Sequence, residues 1–343
     1  QTADIDASPT GTDGSAYWNS GAGWEPIGTF TGTYDGGGYT ISDLYIDRTT
    51  IRCGLFGAIN GGTVSNVLLV DCDITSTQTE CGGIVGYLIG TVQGCSVSGS
   101  VSGSGYVGGI AGRTPAASSI VECRCAASVS GSSNYIGGIA GYLQGSSSGA
   151  TSNVIDSFAT GAVSANSYAG GLVGYQFRYA NITDCYATGV PTATSYAGGL
   201  TGRVGAGCAT TTSYWDTDTS GTATSGSGTG KTTAQMKALA TFSSDWSIAR
   251  VGDWVAETWI IGDSDGDMYP ELSWAYEAPS GTVYEVEGDA LASAFADGTG
   301  TSLSFLRGDG AAAGSADAPG TPVAFLSGDA LARAAAELYG STL

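Results

Sequence analysis

The chain has 343 residues, 57 of them glycine, and carries a net charge of −20 with no histidine. Such an acidic chain is not expected to bind nucleic acid or an anionic membrane surface, because both attract clustered Lys and Arg. The longest apolar runs, such as residues 67–70, are far shorter than the roughly 20 residues that cross a bilayer, so no membrane insertion is expected. The hydrophobic content of 42% suffices for a packed core, so the glycine does not indicate disorder.

Residues 1–52 come before the most regular part of the chain. We interpret them as the first coils of a repetitive fold and its N-terminal cap, because the exposed end of a stack of strands is a sheet edge that must be covered. The chain opens at Gln1 without a signal-like segment. This opening indicates either processing or an incomplete N-terminus.

A short glycine phrase recurs six times, at residues 54–57, 82–87, 108–113, 137–142, 170–175 and 198–203. Its glycine before the aliphatic residue falls at positions 54, 83, 109, 138, 171 and 199, so the period is 29, 26, 29, 33 and 28 residues. A unit this short cannot bury its own apolar face, so the copies must stack into a solenoid. We expect the glycines to supply left-handed turn conformations and to let the coils approach closely.

A second phrase lies between these, at residues 94–101, 122–129, 156–163 and 184–190, where small or apolar residues alternate with polar or aromatic ones. A period of two is typical of a strand with one buried face, and Gly and Ser are too frequent here for helices. The predicted fold class is all-β, a parallel β-helix array over 1–230 with regular coils over 53–212. Two inward columns are predicted, one of Cys95, Cys123, Ser157, Cys185 and Ser213, and the other of Val97, Cys125, Ala159 and Ala187.

These phrases resemble the GLUG motif repeats of bacterial adhesin-like and phage-associated surface proteins. The resemblance extends to residues 24–44, which are similar to the opening coils of that family, and to residues 214–221 and 232–236, which are similar to its closing segment. It covers about residues 1–276. It implies a right-handed solenoid and display on a surface, with no common set of catalytic residues.

Three carboxylates, Glu122, Asp156 and Asp184, precede the cysteine and serine column on successive coils. Coils lie about 4.8 Å apart, and a retaining glycosidase holds its two carboxyl groups about 5–5.5 Å apart. A carbohydrate-active β-helix, such as a tailspike-like polysaccharide hydrolase or lyase, is therefore the alternative function, and calcium bridging is an alternative role for the column. Solvated carboxylates are nevertheless expected on so acidic a protein. We predict no catalytic residue and no enzyme activity.

A second outward column consists of tyrosines two residues before each Gly-Gly pair, namely Tyr106, Tyr135, Tyr168 and Tyr196. Stacked aromatic residues stabilise neighbouring strands. Alternatively, the column is a carbohydrate-binding face, because sugar rings pack on aromatic surfaces. The candidate partner is then a surface glycan or a cell-surface receptor.

The eight cysteines lie at positions 53, 72, 81, 95, 123, 125, 185 and 208. Several share a column with Ser or Val, which favours a role as small buried hydrophobic residues. An even number also permits disulfides in a secreted protein. Adjacent coils would bring Cys53 near Cys81, and Cys95 near Cys123.

After a Ser, Gly and Thr loop at 213–230, residues 231–278 contain four of the seven tryptophans and are predicted to form an aromatic C-terminal cap. Thr232 has the capping-box spacing to a glutamine, which predicts one short helix over 232–240. Asp263, Asp265 and Asp267 alternate around a glycine as in a calcium loop, although the bidentate glutamate of an EF-hand is missing. Calcium is the one cofactor considered, and an acidic turn is the alternative.

The tail, residues 279–343, contains three units with a fixed period of 20 residues, marked by Gly-Asp at 288–289, 308–309 and 328–329. Each unit is predicted to be a β-hairpin about that dipeptide, although the Ala-rich last unit could be helical. Such units bury little apolar area, so we expect residues 281–343 to serve self-association or assembly into a particle or filament. The expected function is a non-enzymatic extracellular structural or adhesive solenoid, displayed as a phage fibre or spike or on a bacterial surface.

Overall fold

The computed structural model describes residues 1–251, 257–262, 264–266 and 268–275, and the backbone of three further strands at 283–285, 304–307 and 323–326. The chain divides into two compact units, residues 1–246 and 247–343. The first unit is a stack of coils whose strands pair in parallel with those of the next coil, so the predicted parallel β-helix is confirmed. The break between the units falls inside the segment predicted as a cap.

Three sheets form the faces of the first unit, and each coil contributes strands to all three along the regular array. The first sheet contains Ile5–Asp6, Thr40–Ser42, Tyr45–Arg48, Leu68–Ser76, Ser96–Gly103, Arg124–Cys125, Ser128–Gly131, Phe158–Ala159, Val163–Ala165, Tyr186–Ala187, Pro191–Ala193, Tyr214–Asp216 and Thr229–Lys231. The second sheet contains Ile27–Phe30, Thr33–Asp35, Phe56–Ser65, Val85–Gln93, Ala111–Thr114, Ser119–Val121, Ala140–Gln144, Ser152–Ile155, Val173–Phe177, Ala180–Thr183, Thr201–Val204 and Ala209–Thr211. The third sheet contains Thr79–Gly82, Gly105–Gly108, Ile136–Gly137, Tyr168–Gly170 and Tyr196–Gly198.

One inward column runs the whole length of the first sheet, through Ile5, Ile41, Leu69, Val97, Cys125, Ala159, Ala187 and Trp215. All of these residues except Ile5 are buried. The cysteine and serine column is buried as well, and the hydroxyls of Ser157 and Ser213 accept hydrogen bonds from backbone N–H groups of the preceding coil, at 3.0 and 3.2 Å. The structure therefore confirms both predicted inward columns.

The glycines of the repeated phrase are required for close approach between coils. A Cβ atom at Gly109 would lie 2.1 Å from Sγ of Cys125, and one at Gly138 would lie 2.5 Å from Cβ of Ala159. Each would also lie 2.2–2.3 Å from the carbonyl oxygen of the equivalent glycine in the next coil. These two glycines do not adopt positive φ, so the expectation that the phrase supplies left-handed turns is wrong for them. The core is too narrow for any side chain at these positions.

The left-handed corners are instead formed mostly by residues with side chains. One corner column has φ between 45° and 61° and consists of Asn66, Gly94, Glu122, Asp156, Asp184 and Thr212. Asn and Asp tolerate this conformation better than other non-glycine residues because their short polar side chains can bond locally. The acidic column singled out in the sequence is therefore a column of turn residues.

The C-terminal end of the core is closed by an indole. Trp215 is the last large member of the inward column, and the strand that pairs beyond it places Gly230 opposite its ring. The 3-10 helices Ser8–Gly11 and Asn19–Gly21 lie in the first coils, and the helices Thr217–Ser220 (α1) and Thr233–Met236 (α2) follow the last ones. The capping box at Thr232 is confirmed. The single helix expected over 232–240 is wrong, because α2 ends at Met236 and a separate 3-10 helix spans Leu239–Thr241.

Residues that follow this helix pack on the outer side of the first sheet. Trp246 contacts the ring of Tyr214 at 6.1 Å between centroids and that of Tyr186 at 6.4 Å, and its Nε1 donates to the carbonyl of Thr212 at 2.7 Å. Phe242 packs against Trp246 at 4.6 Å. Part of the predicted aromatic cap thus covers the rings of Tyr186 and Tyr214 on the outer side of the first sheet.

The second unit has a small sheet of Ile248–Arg250, Trp259–Ile261 and Glu271–Leu272, followed by the 3-10 helix Ser273–Ala275. Its tail strands Val283–Glu285, Ser304–Arg307 and Val323–Leu326 form one parallel sheet with the last strand in the centre. The predicted hairpins are therefore wrong for the strands that the structure describes. A hairpin would pair antiparallel strands within a unit, whereas the described strand of each 20-residue unit pairs in parallel with that of another unit. The Gly-Asp dipeptides lie outside the described residues.

Candidate functional site

The four predicted tyrosines form a continuous ladder on one face of the solenoid. The ring centroids of Tyr106 and Tyr135 are 5.5 Å apart, those of Tyr135 and Tyr168 are 5.3 Å apart, and those of Tyr168 and Tyr196 are 5.1 Å apart. The planes differ by 21°, 9° and 7°, so all three contacts are stacked. The parallel register of Tyr168 with Tyr196 holds the last pair at the same height on successive coils.

A second column lies beside this ladder, on the second sheet. Register pairs place Tyr87, Arg113, Tyr142, Tyr175 and Arg203 one above another. Tyr142 contacts Tyr106 edge-on at 5.4 Å, and Tyr175 stacks on Tyr135 at 5.1 Å. We call the combined surface the tyrosine strip; it consists of Tyr106, Tyr135, Tyr142, Tyr168, Tyr175, Tyr196, Arg113 and Arg203.

Two arginines flank Tyr142 and Tyr175 in the second column. The guanidinium of Arg113 lies 5.5 and 5.7 Å from the ring centroids of Tyr106 and Tyr142. That of Arg203 lies 5.2 and 5.3 Å from those of Tyr168 and Tyr175, and its Nη1 donates to the Tyr168 hydroxyl at 2.8 Å. Cations over ring faces are attracted by the ring quadrupole. Both arginines are therefore held by the tyrosines.

The two arginines differ in charge compensation. The carboxylate of Glu80, which is buried, accepts from Arg52 at 3.0 Å and from Arg113 at 3.2 Å. Arg203 is exposed and has no acidic partner within 4 Å among the described residues. The C-terminal end of the strip therefore carries an uncompensated positive charge on a protein whose net charge is −20.

Burial raises the pKa of two tyrosines of the strip, Tyr142 and Tyr135. It raises the pKa of Tyr142 to about 12, partly offset by the positive charge of Arg113. Burial also raises the pKa of Tyr135, and the neighbouring Tyr106, Tyr168 and Tyr175 add to that increase. These two hydroxyls therefore keep their protons at neutral pH and can donate hydrogen bonds.

The stacking limits what the ladder can offer to a ligand. Each internal ring of the first column has another ring against both faces, so its exposed part is the ring edge. Tyr196 has a tyrosine on one side only and is 57% exposed. The predicted tyrosines are thus brought together, and at the end of the ladder no other ring of the described residues stacks on the second face of Tyr196. Their role in binding carbohydrate stays a prediction.

The acidic column offers a weaker case for chemistry. Its three carboxylates lie at the left-handed corners of successive coils. The carboxylate of Asp184 accepts a hydrogen bond from the Thr212 hydroxyl, and burial, the largest effect, raises its pKa. No residue of the strip is on these corners, so the carboxylates and the arginines do not converge.

The candidate calcium ligands are only partly covered by the structure. Asp265 pairs with Arg250, whose Nη2 donates to its carboxylate at 2.5 Å, while Asp263 and Asp267 lie outside the described residues. Over the parts of the chain that the structure describes, no three His, Cys, Asp or Glu side chains are grouped to hold a metal ion. Calcium binding stays a prediction.

All eight cysteines are free thiols, and seven of them are buried. Cys53 and Cys81 pair across adjacent coils, whereas the thiol of Cys95 donates to the carbonyl of Gln93 and that of Cys123 to the carbonyl of Val121. Burial, the largest effect, raises the pKa of Cys123, and it raises that of Cys125 to about 12. A buried thiol with a raised pKa is a poor nucleophile. The two disulfide hypotheses stay predictions about the oxidised protein.

Sequence reasoning missed the second column, although its signal was present. Each of five glycine phrases ends in Tyr or Arg, at positions 87, 113, 142, 175 and 203. These residues are one step past the third glycine, where the strand's side chain points outward. The repeat spacing alone would have aligned these five residues in one column. Their contact with the ladder could not be predicted in this way, because it depends on how the second and third sheets meet at a corner.

Comparison with known proteins supports the repeat assignment. Residues 165–194, about one coil, match the model of the GLUG motif. A stretch of 121 residues, 33% of the chain, is 40% identical to halomucin of Haloquadratum walsbyi (strain DSM 16790 / HBSQ001), of which it spans 1%.

Among solved structures, a chain described as a "putative immunoglobulin A1 protease" from Bacteroides ovatus superposes with a TM-score of 0.58 at 23% identity, over 80% of this chain and 85% of that one. At this identity the likeness concerns the fold. Among the residues that the structure describes, no helix has the length and apolarity needed to cross a membrane.

Proposed function

The chain carries a GLUG motif within the coils of a parallel β-helix, and we propose that it is a non-enzymatic structural or adhesive solenoid that acts outside the cell. It would be displayed as a phage appendage or decoration, or as a bacterial surface adhesin or filament component. The observation that carries this proposal is the continuous column of register pairs from Ile5 to Trp215. Such a stack builds a long molecule with a long lateral surface from copies of one short repeated unit.

The position of the acidic residues supports a non-enzymatic role. Glu122, Asp156 and Asp184 occupy corners that Gly94 and Thr212 occupy in other coils with similar φ. A backbone requirement that six different coils share accounts for these residues without catalysis. A retaining glycosidase would also need groups that bind the sugar beside its carboxylates, and the arginines of the strip, Arg113 and Arg203, lie on another face.

We assign the tail to assembly. Its three strands pair in one parallel sheet built from the 20-residue repeats. Among the tail strands that the structure describes, the two outer ones each have one edge on which no other described strand pairs, and such an edge is a template for another strand. Residues 281–343 would then join a second copy or a particle, and the solenoid would be the displayed part.

The experiment that tests the enzymatic alternative is incubation of the purified chain with polysaccharides from candidate host surfaces, with product size measured by size-exclusion chromatography. We expect no shortening of the polymer. Depolymerisation that is abolished by Asp156→Ala would overturn the proposal in favour of a tailspike-like glycosidase. Electron microscopy of the native source with an antibody against the solenoid then distinguishes a virion from a cell surface.

A further inference from the structure

We infer that the tyrosine strip is a binding site for a linear acidic polysaccharide whose chain runs across the coils. This inference rests on the proposed adhesive function and names the ligand class of one face. The strip is the place where the outward rings of four coils and two arginines meet. Its members come from two sheets that the corner brings side by side.

The positive charges of the strip favour an anionic ligand. The protein has 11 positive side chains against 31 acidic ones, yet no acidic side chain lies within 4 Å of Arg203 among the described residues. At the other end, Arg113 and Arg52 share the one carboxylate of Glu80. An exposed guanidinium over aromatic rings keeps its outer N–H groups available for a carboxylate, which it can bind with two parallel hydrogen bonds.

The arrangement of the rings favours binding of an extended polysaccharide chain over binding of a single sugar. Because the internal rings stack on each other, they present edges at every coil, and the phenol groups at these edges can hydrogen-bond the hydroxyl groups of a polysaccharide. The free ring face of Tyr196, which is 57% exposed, can pack against one sugar ring at the end of the ladder. Each coil thus repeats a similar contact.

The spacing sets a minimum ligand length. Arg113 and Arg203 are three coils apart in the second column, which corresponds to about 14 Å at the interstrand spacing. A chain that contacts both arginines must span that distance. Short oligomers lose the second contact and with it the gain from multivalency.

Polygalacturonate is the probe, with dextran as the neutral comparison and a single-stranded DNA oligomer as a polyanion without sugar carboxylates. Binding to the full-length chain is measured by isothermal titration calorimetry at low salt and at 0.5 M NaCl. We expect polygalacturonate to bind, dextran and DNA to bind at least about tenfold more weakly, and salt to weaken the binding. Galacturonate monomer should not bind measurably.

Arg203→Gln and Tyr196→Ala test the site itself, and each should weaken the binding about tenfold or more, as expected for a charge-assisted hydrogen bond or a stacked ring. Arg124→Gln removes the same charge from the first sheet, and Tyr17→Ala removes a ring that is 59% exposed outside the strip. These controls should bind like the unaltered chain. Circular dichroism of each variant checks that the fold is intact.

Absence of polygalacturonate binding, equal binding of DNA or dextran, or equal losses in the control variants would overturn the inference and leave the non-enzymatic scaffold unaffected. Binding followed by shortening of the polymer would have the opposite meaning. It would support the site and overturn the proposed non-enzymatic function.

Discussion

Single residues of the solenoid follow two different constraints. Most corner positions carry a side chain although glycine adopts their left-handed conformation more easily, and glycine stands where any side chain would collide. The corner column holds Glu122 and five other residues at φ between 45° and 61°. Inside the repeated phrase, by contrast, Gly109 and Gly138 have ordinary φ, but a Cβ atom would collide with the opposite inward column. Backbone conformation therefore limits which residues fit the corner column, and lack of space for a Cβ atom limits the repeated phrase to glycine.

Substitutions at Glu122 should separate these two effects. Glu122→Gly adopts the corner as Gly94 does, and relief of left-handed strain, offset by the greater flexibility of the unfolded chain, should change the free energy of unfolding by about 0 to +1 kcal/mol. Glu122→Val should lower it by about 1–2 kcal/mol, because a β-branched residue resists positive φ. Urea unfolding measures both. Equal stability of the two variants would contradict the assignment of this column as turn residues.

The buried thiols predict a loss of stability at high pH. Burial raises the pKa of Cys72 and Cys125 from 9.0 to about 12. The folded state therefore holds these protons above pH 9 while the unfolded state releases them, so the stabilisation is complete below about pH 9 and is lost as pH rises towards 12. Each thiol contributes up to about 1.4 kcal/mol per pH unit in that window.

Urea unfolding at pH 8, 9, 10 and 11 checks this expectation, with Cys125→Ala as the comparison. The small side chain fits the column, because Ala159 is its register neighbour. The variant should show a shallower decline between pH 9 and 11 than the unaltered chain. A free energy of unfolding that stays constant from pH 8 to 11 would show that folding does not raise the pKa of these thiols.

At the scale of the element, the inward column of the first sheet determines how closely the coils can pack. Towards the C-terminus its members shrink from Leu69 to Ala159 and Ala187. A glycine of the repeated phrase lies against the column in successive coils, from Gly83 opposite Val97 to Gly199 opposite the indole of Trp215. Each glycine thus matches the space that the member opposite it leaves, whether that member is large or small.

Replacement of Ala159 tests that match. Ala159→Leu should lower the free energy of unfolding by about 1–3 kcal/mol, because the larger side chain overpacks a core that has no room even for a Cβ atom at Gly138, opposite Ala159. Thr160→Leu is the matched control on the exposed side of the same turn and should change it by less than about 0.5 kcal/mol. Thermal and urea unfolding provide the measurement. Equal losses in both variants would mean that the inward and outward faces are assigned wrongly.

At the scale of the whole molecule, the two compact units differ in how they repeat. The solenoid tolerates periods from 26 to 33 residues, because added residues project as turns between coils. The tail keeps a fixed period of 20 residues, and its strands form a separate parallel sheet. Display and assembly would thus be assigned to different units.

Deletion of residues 281–343 should leave a folded solenoid. The inward column and the three sheets lie entirely within residues 1–246, so the strand signal in circular dichroism should persist after the expected loss of the tail's share. The truncated chain should no longer join its particle or filament, as judged by sedimentation and electron microscopy. Unfolding of the solenoid, or unchanged assembly, would contradict this division.

The array, the strands and the inward columns could be predicted from the repeats alone, because residues spaced by one coil must lie above one another in a parallel stack. The ladder from Tyr106 to Tyr196 was predicted in the same way. The sequence did not predict that a second column from Tyr87 to Arg203 lies beside the ladder, that the acidic column forms corners, or that the tail units pair in parallel. A repeat specifies neighbours along the stack, whereas contacts between columns and the direction of strand pairing depend on corner geometry and on packing between residues far apart in sequence.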